Sequence, residues 1–360
     1  MRGNNSESEH NASEIQTANK PSRAVESHIL GKTKGVFRPT LSRWRKLAHL
    51  GWTLARAGGL RTLTRLAKGG LNGTLVQVEN TNYCNYHCRY CPTHSRDSRL
   101  PLTRGHMSQE TFRAILERNP RACHVVIQGQ GEPLLDPGVF DKIALARSAG
   151  LVTQIISNGS MLSDKMIERL VVEGPDVLLF SIDAVSPERN MQQRQGMKYA
   201  DVVRGIEKLN GRRARSRRSM IVGILSIVHE PFGAESEQAL LDFDRLGVDG
   251  LLYKQLNPSY ENRINDYAAS PIEDVPASVL RSLGFPLSHQ RLATKRPCAQ
   301  LRHGMPYYLL DGRETPCCVL NDARYTTPEF SRTRLLERYA QRRMPEECVR
   351  CSFFGGYEAK

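Results

Sequence analysis

Six short apolar runs, Leu75–Glu79, Cys123–Gln128, Val152–Ser157, Val177–Ile182, Met220–Val228 and Gly250–Gln255, limit what this chain can become. Strands buried on both faces of a parallel sheet read as continuous apolar runs rather than as alternation. Between them lie stretches of helical period: Ser108–Glu117, Gly138–Ala149, Ser163–Val172, Tyr199–Leu209 and Glu235–Leu246. Ser108 and Ser163 are placed as N-caps, and Gly150, Gly174 and Gly247 as helix ends. Repeated strand–helix units imply parallel strands with right-handed crossovers. The expected fold class is therefore α/β, a partial (β/α)6 TIM-like barrel over residues 74–290, with a small Cys-rich extension over 291–360.

In such barrels the working groups sit at the carboxyl ends of the strands, and the unusual residues here fall there. Cys84, Cys88 and Cys91 follow the first run, Gly129-Gln130-Gly131-Glu132-Pro133 the second, Ser157-Asn158-Gly159 the third, and Ser181-Ile182-Asp183 the fourth. Three thiols at Cys-x3-Cys-x2-Cys spacing can hold three corners of an iron–sulfur cube and leave one iron open. A zinc knot is the competing use of a short cysteine loop. Glycines let the Gly129–Glu132 backbone approach an ammonium group. Ser157 and Asn158 suit ribose hydroxyls, and Arg194 can bind a carboxylate as a fork. Together these groups suit a zwitterionic nucleoside, which a zinc knot does not need.

The cysteine spacing, with Tyr90 before the third thiol, resembles the radical S-adenosylmethionine (SAM) superfamily. Gly131-Glu132-Pro133 is similar to that family's Gly-Gly-Glu motif, with Gln130 in place of the first glycine. Ser157-Asn158-Gly159 resembles its ribose-side segment, and Ser181 with Arg194 its cofactor-contacting pair. The resemblance implies a [4Fe–4S] cluster on Cys84, Cys88 and Cys91, with SAM chelated at the open iron. It implies Tyr90 against the adenine, Glu132 and Gly131 at the methionine amino group, and a reductant such as flavodoxin or ferredoxin.

Five further cysteines lie where the strand–helix rhythm has stopped: Cys298, Cys317, Cys318, Cys348 and Cys351. Cys348-Val349-Arg350-Cys351 is a turn that presents two thiolates to one metal. Tyr307–Leu310, Asp311-Gly312 and Thr315-Pro316-Cys317 read as a hairpin with an Asp-Gly turn, which brings Cys317 back toward Cys298. The set resembles the shortened, twitch-like form of the SPASM auxiliary-cluster extension and implies one auxiliary [4Fe–4S] cluster; a four-cysteine zinc ribbon uses the same ligands. Cys317 and Cys318 are neighbours, and on a strand they face opposite ways, so one of them is spare. A spare Cys318 thiol is either a buried small hydrophobe or a hydrogen donor to a product radical. Cys123, which begins the second strand, is assigned to the core.

The remaining features bound partners and location. Ten Lys or Arg and no acid fall between Gly31 and Leu75, much of the formal net charge of +14. Residues 1–30 are expected to be disordered. Residues 31–73 are expected to form basic amphipathic helices, either packed on the barrel or touching an anionic membrane surface. A second basic knot at Arg212, Arg213, Arg215, Arg217 and Arg218 lacks interleaved aromatics, which disfavours nucleic acid. Nine cysteines in two clusters plus Cys123 suit a reducing cytosol. Neither a secretory signal nor a run of about 18 apolar residues occurs. Tyr253, Lys254, Tyr260, Asn262, Arg263 and Asp266 are candidates to face a substrate, a solvated connector being the alternative. The expected activity is hydrogen abstraction from a sugar or natural-product intermediate, ending in dehydrogenation or epimerisation. Peptide modification and a zinc-stabilised nucleic-acid-binding protein are the alternatives.

Overall fold

The computed structural model describes residues 74–91, 104–228, 232–255, 275–283, 287–290, 298–349, 351, 354 and 356–357. The expected disordered segment 1–30 and basic segment 31–73 lie outside the described residues, as do Tyr260, Asn262, Arg263 and Asp266.

All six expected strands form, each within one residue of the predicted bounds: β1 (Leu75–Val78), β3 (His124–Ile127), β4 (Val152–Ser157), β5 (Val177–Ser181), β7 (Ile221–Val228) and β8 (Gly250–Gln255). Two more parallel strands extend the sheet beyond the expected six. Beside β8 lies β9 (Leu287–Gln290), and beside β1 lies β10 (Tyr307–Tyr308) from the C-terminal region. The hairpin partner β11 (Glu314–Thr315) pairs antiparallel with β10, its turn carrying Gly312 at φ +78°. The order is β11-β10-β1-β3-β4-β5-β7-β8-β9. Among the described residues eight strands are thus parallel, and β9 and β11 end opposite edges of the sheet without pairing, so it forms an open barrel. A separate two-stranded ribbon joins β2 (His87–Cys88) to β6 (Arg194–Gln195).

The crossovers are α1 (Gln109–Arg118), α2 (Val139–Ser148), α3 (Asp164–Glu173), α4 (Pro187–Gln193), α5 (Tyr199–Arg213) and α6 (Ala234–Arg245). Ser108 and Ser163 cap α1 and α3, accepting from the N–H of Thr111 and Met166 at 3.1 and 3.3 Å. The short α4 was not legible in the sequence. It starts at Pro187 and buries only Asn190, so it shows no apolar period.

Alternate strand residues divide between two apolar layers. Val76, Ile127, Ile155, Phe180, Val222 and Leu251 pack with the helices. Leu75, Val126, Leu179, Leu225 and Leu252, with Ile156 between them, fill the inner face. Tyr253 belongs to the helix-facing layer and is 3 % exposed, so it does not face the barrel opening as expected; its neighbour Lys254 is half-buried on the inner face. A smaller core, Leu301, Leu335 and Met344, holds α8 (Ala299–His303) against α9 (Arg332–Ala340), with α7 (Ala277–Ser282) earlier and α10 (Glu346–Val349) later in the chain.

The arginine knot after α5 is largely structural. Arg218 donates to the carbonyls of Leu170, Val171, Gly174 and Pro175 at the end of α3, where unsatisfied carbonyls and the helix dipole favour a cation. Arg213 pairs with Asp249 and donates to the carbonyls of Met220 and Gly247, while Arg212 pairs with Glu168 at 3.0 Å.

Candidate active site

The loop after β1 is held by its neighbours, its one element being β2, which pairs with β6. Gly131 lies so close that a Cβ there would sit 2.4 Å from the Thr81 carbonyl oxygen and 2.6 Å from that of Tyr83. The Glu132 N–H donates to Tyr83 O at 2.8 Å, fixing the chain immediately before Cys84. On its other side, Cys88 sits opposite Arg194 in the ribbon and Arg89 N–H donates to Gln193 O at 2.8 Å. Gly196, at φ +96°, lets β6 pass with its Cα side toward the Asn85 carbonyl, where a Cβ would lie 3.0 Å away. A turn from Cys91 N–H to Cys88 O, 3.0 Å, completes the loop.

Glu132 joins three of the expected elements. Its carboxylate is 2 % exposed and accepts from Ser157 Oγ (2.8 Å), Asn158 N–H (2.6 Å) and Leu134 N–H (3.0 Å). Asn158 Nδ2 in turn donates to Asn85 Oδ1 at 3.0 Å and lies 3.9 Å from Cys84 Sγ. Burial lifts the Glu132 carboxyl to about 7, against three hydrogen bonds that pull it down. Gly131, Glu132, Ser157, Asn158 and Cys84 are therefore one hydrogen-bonded unit. The close approach at Gly131 is made to the chain's own backbone.

Arg194 and Tyr90 meet at a residue to which the sequence had assigned no role. Arg194, 4 % exposed, donates from Nε and Nη2 to Asp183 at 3.1 and 2.8 Å, so the fork expected to be open for a ligand carboxylate holds Asp183. Tyr90 OH donates to the same carboxylate at 3.2 Å, and the Arg194 guanidinium lies 5.4 Å from the Tyr90 ring centroid. Asp183 ends the strand Val177–Ser181 two residues late, and a carboxylate so placed looks like an ordinary strand terminus in sequence. Ser181 is half-buried on the inner face with Leu179.

In the C-terminal region, Cys298, Cys317, Cys348 and Cys351 line one small cleft. Its other walls are mostly apolar, including Leu301, Leu335, Met344 and Phe354. Cys298 precedes α8, Cys317 follows β11, and the Cys351 N–H to Cys348 O bond of 3.1 Å closes the expected turn. Cys318 is not among these lining residues; its thiol lies near Lys254 and also near Cys351, and is hydrogen-bonded to Gln77. Cys123 is fully buried at the opposite end of the sheet, as expected.

Burial pushes the thiols of Cys84 and Cys298 up to about 11 and those of Cys88 and Cys348 to about 12. Bare thiolates are costly in such surroundings. A soft metal centre that takes the place of the protons removes that cost. Three thiols in one loop and four around one mostly apolar cleft are the donor type that iron–sulfur clusters take, although among the described residues no three such side chains stand close enough together to hold a single metal ion.

A second buried acid, Glu79, escaped the sequence reading because it closes an apolar strand without any local motif. Its carboxylate accepts from the N–H groups of Gln130 (3.2 Å) and Leu310, joining the Gln130 loop to the C-terminal hairpin. Burial raises it to about 7.

Residues 78–234 match the family described as the Radical SAM superfamily. Over 254 residues the chain is 25% identical to the tungsten-containing aldehyde ferredoxin oxidoreductase cofactor-modifying protein of Pyrococcus furiosus, covering 67% of this chain and 70% of that one. Over 190 residues it is 27% identical to the pre-heme d1 synthase of Dinoroseobacter shibae, covering 52% of this chain but only 44% of that one. The fold is similar to Streptococcus suis SuiB bound to precursor peptide SuiA, with TM-score 0.55 and 13% identity over 82% of this chain and 73% of that one.

Proposed function

The chain belongs to the radical SAM superfamily, and from that membership we propose that it takes hydrogen from a carbon of a small sugar-like or natural-product intermediate and oxidises it. Cys84, Cys88 and Cys91 would hold the SAM-binding [4Fe–4S] cluster, and Cys298, Cys317, Cys348 and Cys351 an auxiliary one. When bound, the first cluster and SAM supply a 5′-deoxyadenosyl radical able to remove such a hydrogen. The chain's own part is to bind and orient. The Glu132–Ser157–Asn158 unit, hydrogen-bonded within itself, would hold the Ser157–Gly159 segment against the Cys84 loop and so place that segment beside the ribose of a nucleoside. Gly131 holds that unit against the loop. Arg194 and Tyr90 flank Cys88 from the opposite side. Residues 74–290 would form the barrel, and 291–360 an auxiliary region that reaches into the sheet through β10.

The observation that carries oxidation is the four-thiol cleft. A centre with four protein thiolates keeps no position for substrate, which suits it to accept an electron. The names of the curated relatives, which concern cofactor modification and a haem precursor, support a small-molecule substrate. A low-potential flavodoxin or ferredoxin would be the reductant. No helix among the described residues is long and apolar enough to cross a membrane, and a cytoplasmic enzyme, with residues 31–73 as its contact to anionic surfaces, is consistent with that.

Anaerobic reconstitution tests the reading. Two clusters mean about eight iron and eight sulfide per chain, together with SAM-dependent 5′-deoxyadenosine and a product lighter by two hydrogens. A product of unchanged mass transfers the reading to epimerisation, with Cys318 as hydrogen donor. A colourless protein holding zinc and no sulfide refutes it.

A further inference from the structure

Asp183 is fully buried, and both of its oxygens are saturated from three separate elements. Oδ1 accepts from Arg194 Nη2 (2.8 Å) and from the Ile227 N–H of β7 (2.9 Å). Oδ2 accepts from Arg194 Nε (3.1 Å) and Tyr90 OH (3.2 Å). A carboxylate offers about four acceptor positions, so these four donors fill it. Its own backbone is pinned by Asn190, which accepts from Asp183 N–H and donates to Asp183 O, each at 2.9 Å. The next residue is fixed too, Ala184 N–H donating to Ser226 Oγ at 2.8 Å.

We propose that Asp183 is a positioning residue of the SAM site: by holding the Arg194 fork and the Tyr90 hydroxyl at once, it sets where the two residues flanking Cys88 stand relative to the cysteine loop. This rests on the radical SAM reading of that loop. Without an anion at Asp183, Arg194 is a buried cation beside Cys88 with no counter-charge, free to pair with whichever thiolate or ligand carboxylate is nearest. With Asp183 in place, Nε and Nη2 are committed. The remaining hydrogens lie at the Nη1/Nη2 end of the guanidinium, so the arginine offers a ligand that end-on edge and no longer its Nε side. Tyr90 is likewise held by its hydroxyl, which fixes its ring beside Arg194 instead of leaving it to rotate.

The test is equilibrium binding of radiolabelled SAM to anaerobically reconstituted, unreduced protein, which needs no turnover. Asp183→Asn should weaken SAM binding at least tenfold while iron and sulfide content stay at the wild-type level. The double variant Asp183→Asn with Arg194→Gln removes the unpaired charge. It should recover thermal stability lost by the single variant but keep the weak binding. Tyr90→Phe, which loses only one of the four donors, should shift binding by a smaller factor and in the same direction. Affinity within twofold of wild type in Asp183→Asn overturns the proposal. If that variant does not fold, wild-type affinity in the double variant overturns it equally. Wild-type protein that carries its cluster yet binds no SAM sinks the functional reading itself, and the inference with it.

Discussion

Replacing Glu79 with glutamine should make the protein more stable, and only above about pH 6. Burial raises the Glu79 carboxyl from the ordinary value of 4.5 to about 7. At about 1.4 kcal/mol per pH unit, ionising it in the folded state costs roughly 3 kcal/mol relative to the unfolded chain. The sign follows from the direction. A raised carboxyl contributes its full share of stability below pH 4.5, and that share is lost as pH rises through about 7. Glutamine has no such term. It brings an NH2 group toward one of the two N–H donors, Gln130 or Leu310, at a cost of about 1 kcal/mol. Glu79→Gln should therefore be near neutral or slightly destabilising at pH 5 and more stable by about 2 kcal/mol at pH 8. Chemical denaturation of both proteins at the two pH values measures the difference directly, and Glu132, present in both, cancels. A stability difference that does not change between pH 5 and pH 8 would refute the claim that Glu79 is a buried acid held against its own ionisation.

Gly131→Ala should damage the cluster loop without touching a cysteine. The added Cβ would meet two backbone carbonyl oxygens, at 2.4 and 2.6 Å, which cannot rotate away as a side chain would. A loss of about 2 kcal/mol or more is expected, read as a lower melting point together with reduced iron loading. Wild-type values of both would show that the loop can shift freely. Between the neighbouring cysteines, Cys317→Ala should lose the iron of the auxiliary site and Cys318→Ala should retain it, because only Cys317 lines the cleft. Equal iron content in the two variants would contradict that assignment.

Much of the site was legible as chemistry before it was legible as geometry. The cysteine spacing, the Gly131-Glu132 step and the Ser157-Asn158 pair each carry a local signature, since a loop must present those groups within a few residues. The strands were equally plain, because burial on both faces leaves an unbroken apolar run such as Val177-Leu178-Leu179-Phe180. The ribbon of β2 and β6 was not, because two residues a side are too few to impose a period. The hairpin of β10 and β11 was legible from its Asp-Gly turn, but not that β10 would join the barrel sheet beside β1 through only Tyr307 and Tyr308.

What the sequence determined by itself was the alternation of strand and helix, the donor atoms available for a metal, and the end of the barrel at which they collect. The tertiary structure alone decided which partners those groups take. Asp183 fills the Nε side of the Arg194 fork, Glu132 binds the loop that begins at Ser157, and Cys317 lines the C-terminal cleft. A side chain's type sets what it can bond to. Which of several partners it meets depends on contacts between residues far apart in the chain, and these exist only once the strands have assembled into one sheet.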